Sequence, residues 1–201
     1  MSEDELRHQQ KMSKRKQVQD AEVAGKTIES KGLLIVHTGP GKGKSTAAFG
    51  LILRALGHDW RVGVVQFGKG AWETGERKAL MRFGDQISWH TLGEGFTWET
   101  QDRARDLAAA ARAWEKAREL MADDTIKLLV LDELNIALRY EHLPLDVVVA
   151  ALSARRPDLH VVVTGRNAKP ELIAAADLVT EMQAIKHHFA AGVKAQQGIE
   201  F

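Results

Sequence analysis

The sequence predicts an α/β protein in which a mostly parallel sheet is covered by helices on both faces. Two patterns and one junction predict it. From Leu33 onward, short unbroken apolar runs alternate with segments of helical period. A strand buried on both faces reads as such a run, whereas a half-exposed strand alternates apolar with polar residues. The junction is His37-Thr38-Gly39-Pro40-Gly41-Lys42-Gly43-Lys44-Ser45-Thr46, which joins the apolar run 33–36 to a helical segment. It reads as strand, phosphate-binding loop and helix.

The loop carries its own chemistry. Gly39, Gly41 and Gly43 let successive backbone N–H groups turn toward one point, the helix N-terminus adds a partial positive charge, and Lys44 adds a full one. A triphosphate suits such a cradle, and the hydroxyl of Ser45 or of Thr46 is placed to hold magnesium against it. The usual G-x-x-x-x-G-K-[ST] pattern has glycine where this chain has Thr38. A loop that is shorter or differently entered than in an ordinary P-loop ATPase is therefore expected.

Composition sets the bounds. With 201 residues and 44% hydrophobic content, the chain suits one domain with a full core. Lys+Arg of 28 against Asp+Glu of 27 gives a formal charge of +1, so bulk charge calls for neither nucleic acid nor an anionic membrane. No cysteine is present, which excludes disulfides, thiolate metal sites and a cysteine nucleophile and is compatible with the cytoplasm. No apolar run approaches the roughly 20 residues of a membrane span.

In order, residues 1–30 are polar with sparse apolar positions, and read as a flexible N-terminal arm or a lone helix preceding a domain over 31–201. A helix is expected from Ser45 to about Leu56, burying Ala48, Leu51, Ile52 and Ala55 and closing at Gly57 in a left-handed cap. Residues 62–67 form the next strand, and the glycine-rich run 68–75 follows at its carboxyl end, where open α/β sheets bind ligands. A helix over 76–83 and a short strand over 87–90 come next.

The run Gly93-Glu94-Gly95-Phe96-Thr97-Trp98-Glu99-Thr100 sets two aromatics among glycines, either tucked into the core or facing a flat ligand. Thr100 can cap the long helix after it, which reaches about Met121 with Ala104, Leu107, Ala108, Ala111 and Trp114 as its apolar face.

Residues 126–133 make a buried strand ending in Asp132 and Glu133, with the look of a Walker B strand. Such a strand is expected beside the first, its acid reaching magnesium at Ser45; which acid does so is open. A helix over 145–154, a strand before Thr164-Gly165-Arg166, a short helix from Pro170 and a last strand over 178–182 complete the pattern. Arg166 either clamps a phosphate or ribose or is solvated. His187 and His188 are expected to diverge, which disfavours a metal site there.

Taken together, T-G-x-G-K-G-K-[ST]-T-A-A-F-G, G-x-G-F-T-W-E-T, V-L-D-E-L-N, V-V-V-T-G-R and A-G-V-K-A-Q-x-G-I-E-F are shared, in order, with a known family. From Lys31 to Phe201 the chain resembles the ATP:corrinoid adenosyltransferases of the P-loop type, in particular the branch acting in corrin-ring synthesis as well as salvage. The glycine-flanked aromatics and the C-terminal tail are more specific than the phosphate loop, and the departure at Thr38 is itself shared.

The resemblance implies a RecA-like P-loop NTPase fold, with ATP held in a reversed sense, and transfer of the 5′-deoxyadenosyl group of ATP to Co(I) of a corrinoid. By the same resemblance Gly39, Gly41, Lys42, Gly43, Lys44, Ser45 and Thr46 would cradle the triphosphate, and Thr38 and Arg166 are counted with them as nucleotide-binding candidates. Ser45 and Glu133 would hold Mg2+, with Asp132 behind them. Phe96 and Trp98 would exclude the lower axial ligand of cobalt, and with Lys44 are the catalytic candidates. A homodimer, whose N-terminal segment closes over a partner's site, and a flavin or flavoprotein reductant are also implied. The alternatives are a P-loop ATPase or kinase, which leaves G-F-T-W-E-T unexplained, and a nucleotide switch acting on the N-terminal arm.

Overall fold

The computed structural model describes residues 2–28, 30–68, 74–93 and 102–200. It divides into two units, Met1–Lys31 and Gly32–Phe201. The first is one helix, α1 (Glu3–Ala24), opened by a capping box in which Ser2 and Glu5 satisfy each other's backbone N–H; none of its residues is buried.

The second unit is a single parallel sheet with helices around it. Its elements are β1 (Leu34–Thr38), α2 (Lys44–Leu56), β2 (Arg61–Gln66), α3 (Gly75–Leu80), β3 (Ile87–Thr91), α4 (Arg103–Ala122), β4 (Ile126–Asp132), α5 (Leu134–Arg139), α6 (Leu145–Ser153), β5 (His160–Thr164), α7 (Pro170–Ala175) and β6 (Leu178–Glu181). A 3-10 turn, Met81–Gln86, extends α3. The strand order is β3-β2-β4-β5-β1-β6, and every pairing is parallel.

Why the strands read as unbroken apolar runs is visible in the core. Leu34, Val36, Leu129, Leu131, Val161 and Val163 face one layer, while Ile35, Leu128, Val130 and Val162 face the other. The period of two is intact, but both faces are dry. Each fully buried leucine or valine contributes roughly 1.5–3 kcal/mol relative to exposure. Gly63 of β2 marks a close approach, since a Cβ there would lie 3.0 Å from Leu129 and 3.1 Å from Leu120 of α4.

Five expectations are corrected. β4 does not lie beside β1, because β5 pairs with both and stands between them. α2 does not end in a left-handed Gly57, whose φ is −66°. The left-handed residue is Asp59 at φ 58°, and a Schellman closure forms around it, with Trp60 N–H donating to Ala55 O at 3.1 Å and Asp59 N–H to Leu56 O at 3.0 Å.

Asp102, not Thr100, caps α4, accepting from Arg105 N–H at 3.1 Å. The buried face of α4 runs through Ala110, Ala113, Trp114, Ala117, Leu120 and Met121, leaving Ala104, Leu107, Ala108 and Ala111 exposed. Alanines over 108–111 fit either phase, and the large residues Trp114, Leu120 and Met121 decide it. His187 and His188, finally, stack with centroids 4.7 Å apart, since the tail is not regular where the pair begins.

Candidate active site

The carboxyl ends of β1, β5, β4 and β2 meet along one edge of the sheet, and a cavity of about 560 Å³ opens above them. β1 delivers the phosphate loop. Gly39 and Gly43 have φ of 94° and 103°, conformations that glycine adopts without strain. A Cβ on Gly39 would lie 2.5 Å from Met182 O, and one on Gly41 2.6 Å from Gln183 O, so the loop lies flat on the chain after β6.

Thr38 pairs with Glu181 as the last residue of β1, and its hydroxyl accepts from Ala168 N–H at 3.0 Å. It thereby ties the phosphate loop to the segment that carries Arg166.

Lys44, buried at 7% exposure, folds its ammonium onto the loop itself, donating to Gly39 O at 2.9 Å and to Gly41 O. Burial pushes its pKa below the ordinary lysine value; Glu133 opposes that shift and Arg166 adds to it. A positive charge short of solvent and held by weak carbonyl partners favours an anion close by.

The two acids of β4 have separate tasks. Asp132 is fully buried and accepts from Ser45 Oγ at 2.7 Å and Thr164 Oγ1 at 2.8 Å on one oxygen, and from Gln66 Nε2 at 2.9 Å on the other. Thr164 ends the intervening strand β5, and its small hydroxyl bridges the gap that separates β4 from the loop. Glu133 turns out of the strand in a left-handed conformation, φ 63°, with its N–H donating to Thr164 Oγ1 at 3.0 Å. That conformation costs on the order of 1–3 kcal/mol for a non-glycine residue, and it brings Glu133 to the cavity wall beside Lys44 and Ser45. Gly165, φ 126°, leaves room for it, since a Cβ there would meet Glu133 Oε2 at 3.1 Å.

The cavity has two chemistries. Lys42, Lys44, Ser45, Thr46 and Arg166 line one end, and Ala109 and Ala110 of α4 with Ile136 and Ala137 of α5 line the other, together with the polar side chains of Asp106, Arg139, Tyr140 and His142. Arg139 sits over the Tyr140 ring, 5.4 Å from its centroid, at the rim of the second end. The C-terminal tail supplies a third wall: Glu200 lines the cavity and pairs with Lys42 of the loop and, at 2.5 Å, with His188. The hydrogen bond from Lys42 holds the Glu200 carboxyl below the usual range.

Of the expected residues, Gly41, Lys42, Gly43, Lys44, Ser45, Thr46, Glu133 and Arg166 come together on the wall, while Thr38, Gly39 and Asp132 lie behind it. Phe96 and Trp98 fall outside the described residues, as does most of the glycine-rich run after β2. Gln66, Thr164, Tyr140 and Glu200 were not anticipated. The available signal was a polar residue at the carboxyl end of an apolar strand, which Gln66 and Thr164 share with Asp132.

The parallel sheet, the glycine loop running into α2, and a buried acid holding the loop's serine define a P-loop NTPase-like nucleotide-binding protein. The family model for ATP:corrinoid adenosyltransferase BtuR/CobO/CobP matches residues 30–201, and that for the cob(I)alamin adenosyltransferase N terminal matches residues 1–23. The corrinoid adenosyltransferase of Pseudomonas aeruginosa is 54% identical over 199 residues, covering 99% of this chain and 98% of that protein. Its counterpart in Sinorhizobium sp is 56% identical over 200 residues, 98% of this chain and 93% of that protein. The corrinoid adenosyltransferase CobA of Salmonella typhimurium is 46% identical over 195 residues, 97% and 98% of the two chains. The chain belongs to the ATP:corrinoid adenosyltransferase family.

Proposed function

We infer that this protein transfers the 5′-deoxyadenosyl group of ATP to the Co(I) centre of a corrinoid, with release of triphosphate. The observation that carries the reading is the lining of the cavity: a cationic part on the phosphate loop is joined by a part on α4 and α5 where Ala109, Ala110, Ile136 and Ala137 stand beside Asp106 and Arg139. The first suits a triphosphate and the second an adenosyl group, with no residue at a γ-phosphate needed to activate water. In the transfer, the cobalt lone pair attacks the ribose 5′ carbon, the carbon–oxygen bond to the α-phosphate breaks, and its electron pair leaves with the triphosphate. Cobalt passes from Co(I) to Co(III), and no general base is required.

The protein's contribution is then positioning and neutralisation of a leaving group. Gly43 and the start of α2 present N–H groups to the triphosphate, the Gly41 N–H being taken by Met182 O at 2.6 Å, while Lys42, Lys44 and Arg166 supply positive charge. Ser45 Oγ and the Glu133 carboxylate form a hard oxygen pair that fits Mg2+, and the hydrogen bond from Ser45 to Asp132 leaves the serine lone pairs for it. When bound, Mg2+ supplies further charge neutralisation at the phosphates.

We assign Phe96 and Trp98 to the lower face of the corrin on their motif, where exclusion of the axial ligand eases reduction of cobalt. A homodimer closed by the N-terminal segment, a flavin or flavoprotein reductant and a cytoplasmic setting belong to the same proposal. No helix among the described residues is long and apolar enough to cross a membrane.

Incubation with ATP, Mg2+ and chemically reduced cobinamide tests the reading: light-sensitive adenosylcorrinoid and inorganic triphosphate are expected in equal amounts. ADP and phosphate formed without dependence on corrinoid would overturn it in favour of an ATPase or kinase. For the aromatics, Phe96→Ala or Trp98→Ala should lower turnover from Co(II) about tenfold more than turnover from pre-reduced Co(I), a difference of about 1.4 kcal/mol in barrier. Equal losses in both assays would remove the axial-ligand role.

A further inference from the structure

A chain of buried hydrogen bonds crosses the sheet beneath the phosphate loop, and one of its members has no assigned task. Gln66, the last residue of β2, is 3% exposed. Its Oε1 accepts from Trp89 Nε1 at 3.1 Å and from Thr91 Oγ1 at 2.9 Å, both on β3. Its Nε2 donates to Asp132 Oδ2 at 2.9 Å on β4, whose other oxygen accepts from Ser45 at the start of α2. Parallel register places the three residues side by side, Gln66 being opposite both Thr91 and Asp132.

The direction of each bond follows from the groups. An indole N–H only donates, so the Gln66 carbonyl must face β3 and its amide must face β4. Asp132 then receives N–H on one oxygen and hydroxyl protons from Ser45 and Thr164 on the other, the pattern of an ionised acceptor. Because the Ser45 proton is committed to Asp132, its lone pairs face away from the acid.

A cross-strand amide donates one way and accepts the other without carrying charge. A carboxylate at 66 would oppose that of Asp132, and an apolar side chain would leave the buried Asp132 oxygen one donor short.

We propose that Gln66 is a positioning residue for nucleotide binding: by fixing the Asp132 carboxylate it orients the Ser45 hydroxyl toward the cation that accompanies ATP. It acts through Asp132 and touches neither substrate. The same amide fastens the end of β3, from which the chain runs on into the G-x-G-F-T-W-E-T stretch, so the strand leading to the corrinoid motif is pinned to the acid that serves the phosphate loop. The proposal rests on the assignment of Ser45 to Mg2+, and it concerns binding rather than transfer.

The test is calorimetric titration of ATP without corrinoid, in Mg2+ and in EDTA, for the wild type, Gln66→Met, Ser45→Ala and the double variant. Gln66→Met should weaken ATP binding about tenfold in Mg2+ and no more than about twofold in EDTA. With Ser45→Ala already in place it should add nothing further in Mg2+. The Trp89 indole N–H, followed by 15N NMR, should shift upfield as one of its acceptors is lost.

Equal weakening in Mg2+ and EDTA, or full additivity with Ser45→Ala, would overturn the proposal in favour of a role in stability alone. Should Gln66→Met not fold, Thr91→Val removes one donor to the same carbonyl, and a Mg2+-dependent loss of about twofold is expected from it; no Mg2+-dependent loss would overturn the proposal. Since no corrinoid enters the titration, failure here leaves adenosyl transfer standing, and absence of adenosylcorrinoid in the transfer assay leaves this result standing.

Discussion

The two ends of the cavity are built on opposite principles. At the phosphate end almost every contact is fixed: glycines pressed against the chain after β6, a lysine folded onto its own loop, and an acid with three donors. At the other end, Ala109 and Ala110 of α4 and Ile136 and Ala137 of α5 line the cavity beside Asp106 and Arg139. An end that must neutralise a leaving triphosphate needs charges and N–H groups held in advance of reaction. An end that must admit a nucleoside beside a bulky metal-bearing ring needs room. On the function proposed above, the difference puts phosphate recognition on a loop fixed in advance and leaves the transferred group to the less constrained helical part.

The largest effect should come from emptying the first end of its charge. Lys44→Met is expected to lower the rate of adenosyl transfer by about 10³-fold, the scale of losing one preorganised donor at a developing negative charge, in an assay with pre-reduced corrinoid. The same substitution should leave the ligand-free protein no less stable, because burial disfavours the Lys44 charge. The pH dependence has a definite sign. With its folded-state pKa lowered, Lys44 binds fewer protons in the folded than in the unfolded chain as pH rises toward the ordinary lysine value. The wild type should therefore gain thermal stability relative to Lys44→Met across that alkaline window, measured by melting in parallel buffers. A loss of the relative gain would mean that the loop carbonyls already satisfy the charge.

A smaller effect is expected at the second end. Ala109 is 4% exposed and lines the cavity without belonging to the main core layers. Ala109→Leu should raise the KM for ATP about tenfold, a change of about 1.4 kcal/mol, while the affinity for inorganic triphosphate stays within about twofold of the wild type. If triphosphate affinity fell as far as ATP affinity, the two ends would not be separable and the contrast between them would collapse.

The smallest effect concerns the tail. Glu200 holds Lys42 by an ion pair, and the hydrogen bond from Lys42 holds its carboxyl below the usual range. Glu200→Gln should strengthen binding of inorganic triphosphate by about twofold, the scale of an exposed pair, read by the same titration. Weaker binding would make Glu200 a support for the loop rather than a competitor for it.

Much of this was legible in the residues, for physical reasons that also explain the failures. Strands dry on both faces advertise themselves as apolar runs, and glycine, lysine and serine at fixed spacing advertise a phosphate cradle. Both signals are local. The position of β4 was not local: that β5 separates it from β1 depends on a strand about 120 residues further along the chain than the loop, and nothing in the Walker B segment records it. The same holds for Gln66, whose importance comes from lying opposite Asp132 and Thr91 once the strands pair.

The misassigned face of α4 has another origin, since alanines satisfy two phases of a helix equally and only the larger residues beyond them discriminate. Asp59 took the left-handed position that Gly57 was expected to fill because the helix end unwinds two residues later than its last glycine. Asp132 and Glu133 were recognised as a pair, but their division of labour required the left-handed turn at Glu133.

The bond that breaks in ATP decides between a holder of a leaving group and a machine for cutting the γ-phosphate. ATP carrying 13C at the ribose 5′ position, supplied with Mg2+ and Co(I) cobinamide, allows both fragments to be followed in one tube by 13C and 31P NMR. Adenosyl transfer predicts that the labelled carbon moves to a cobalt-bound resonance as inorganic triphosphate appears in step. A labelled carbon that stays bonded to oxygen while ADP and phosphate accumulate would contradict it.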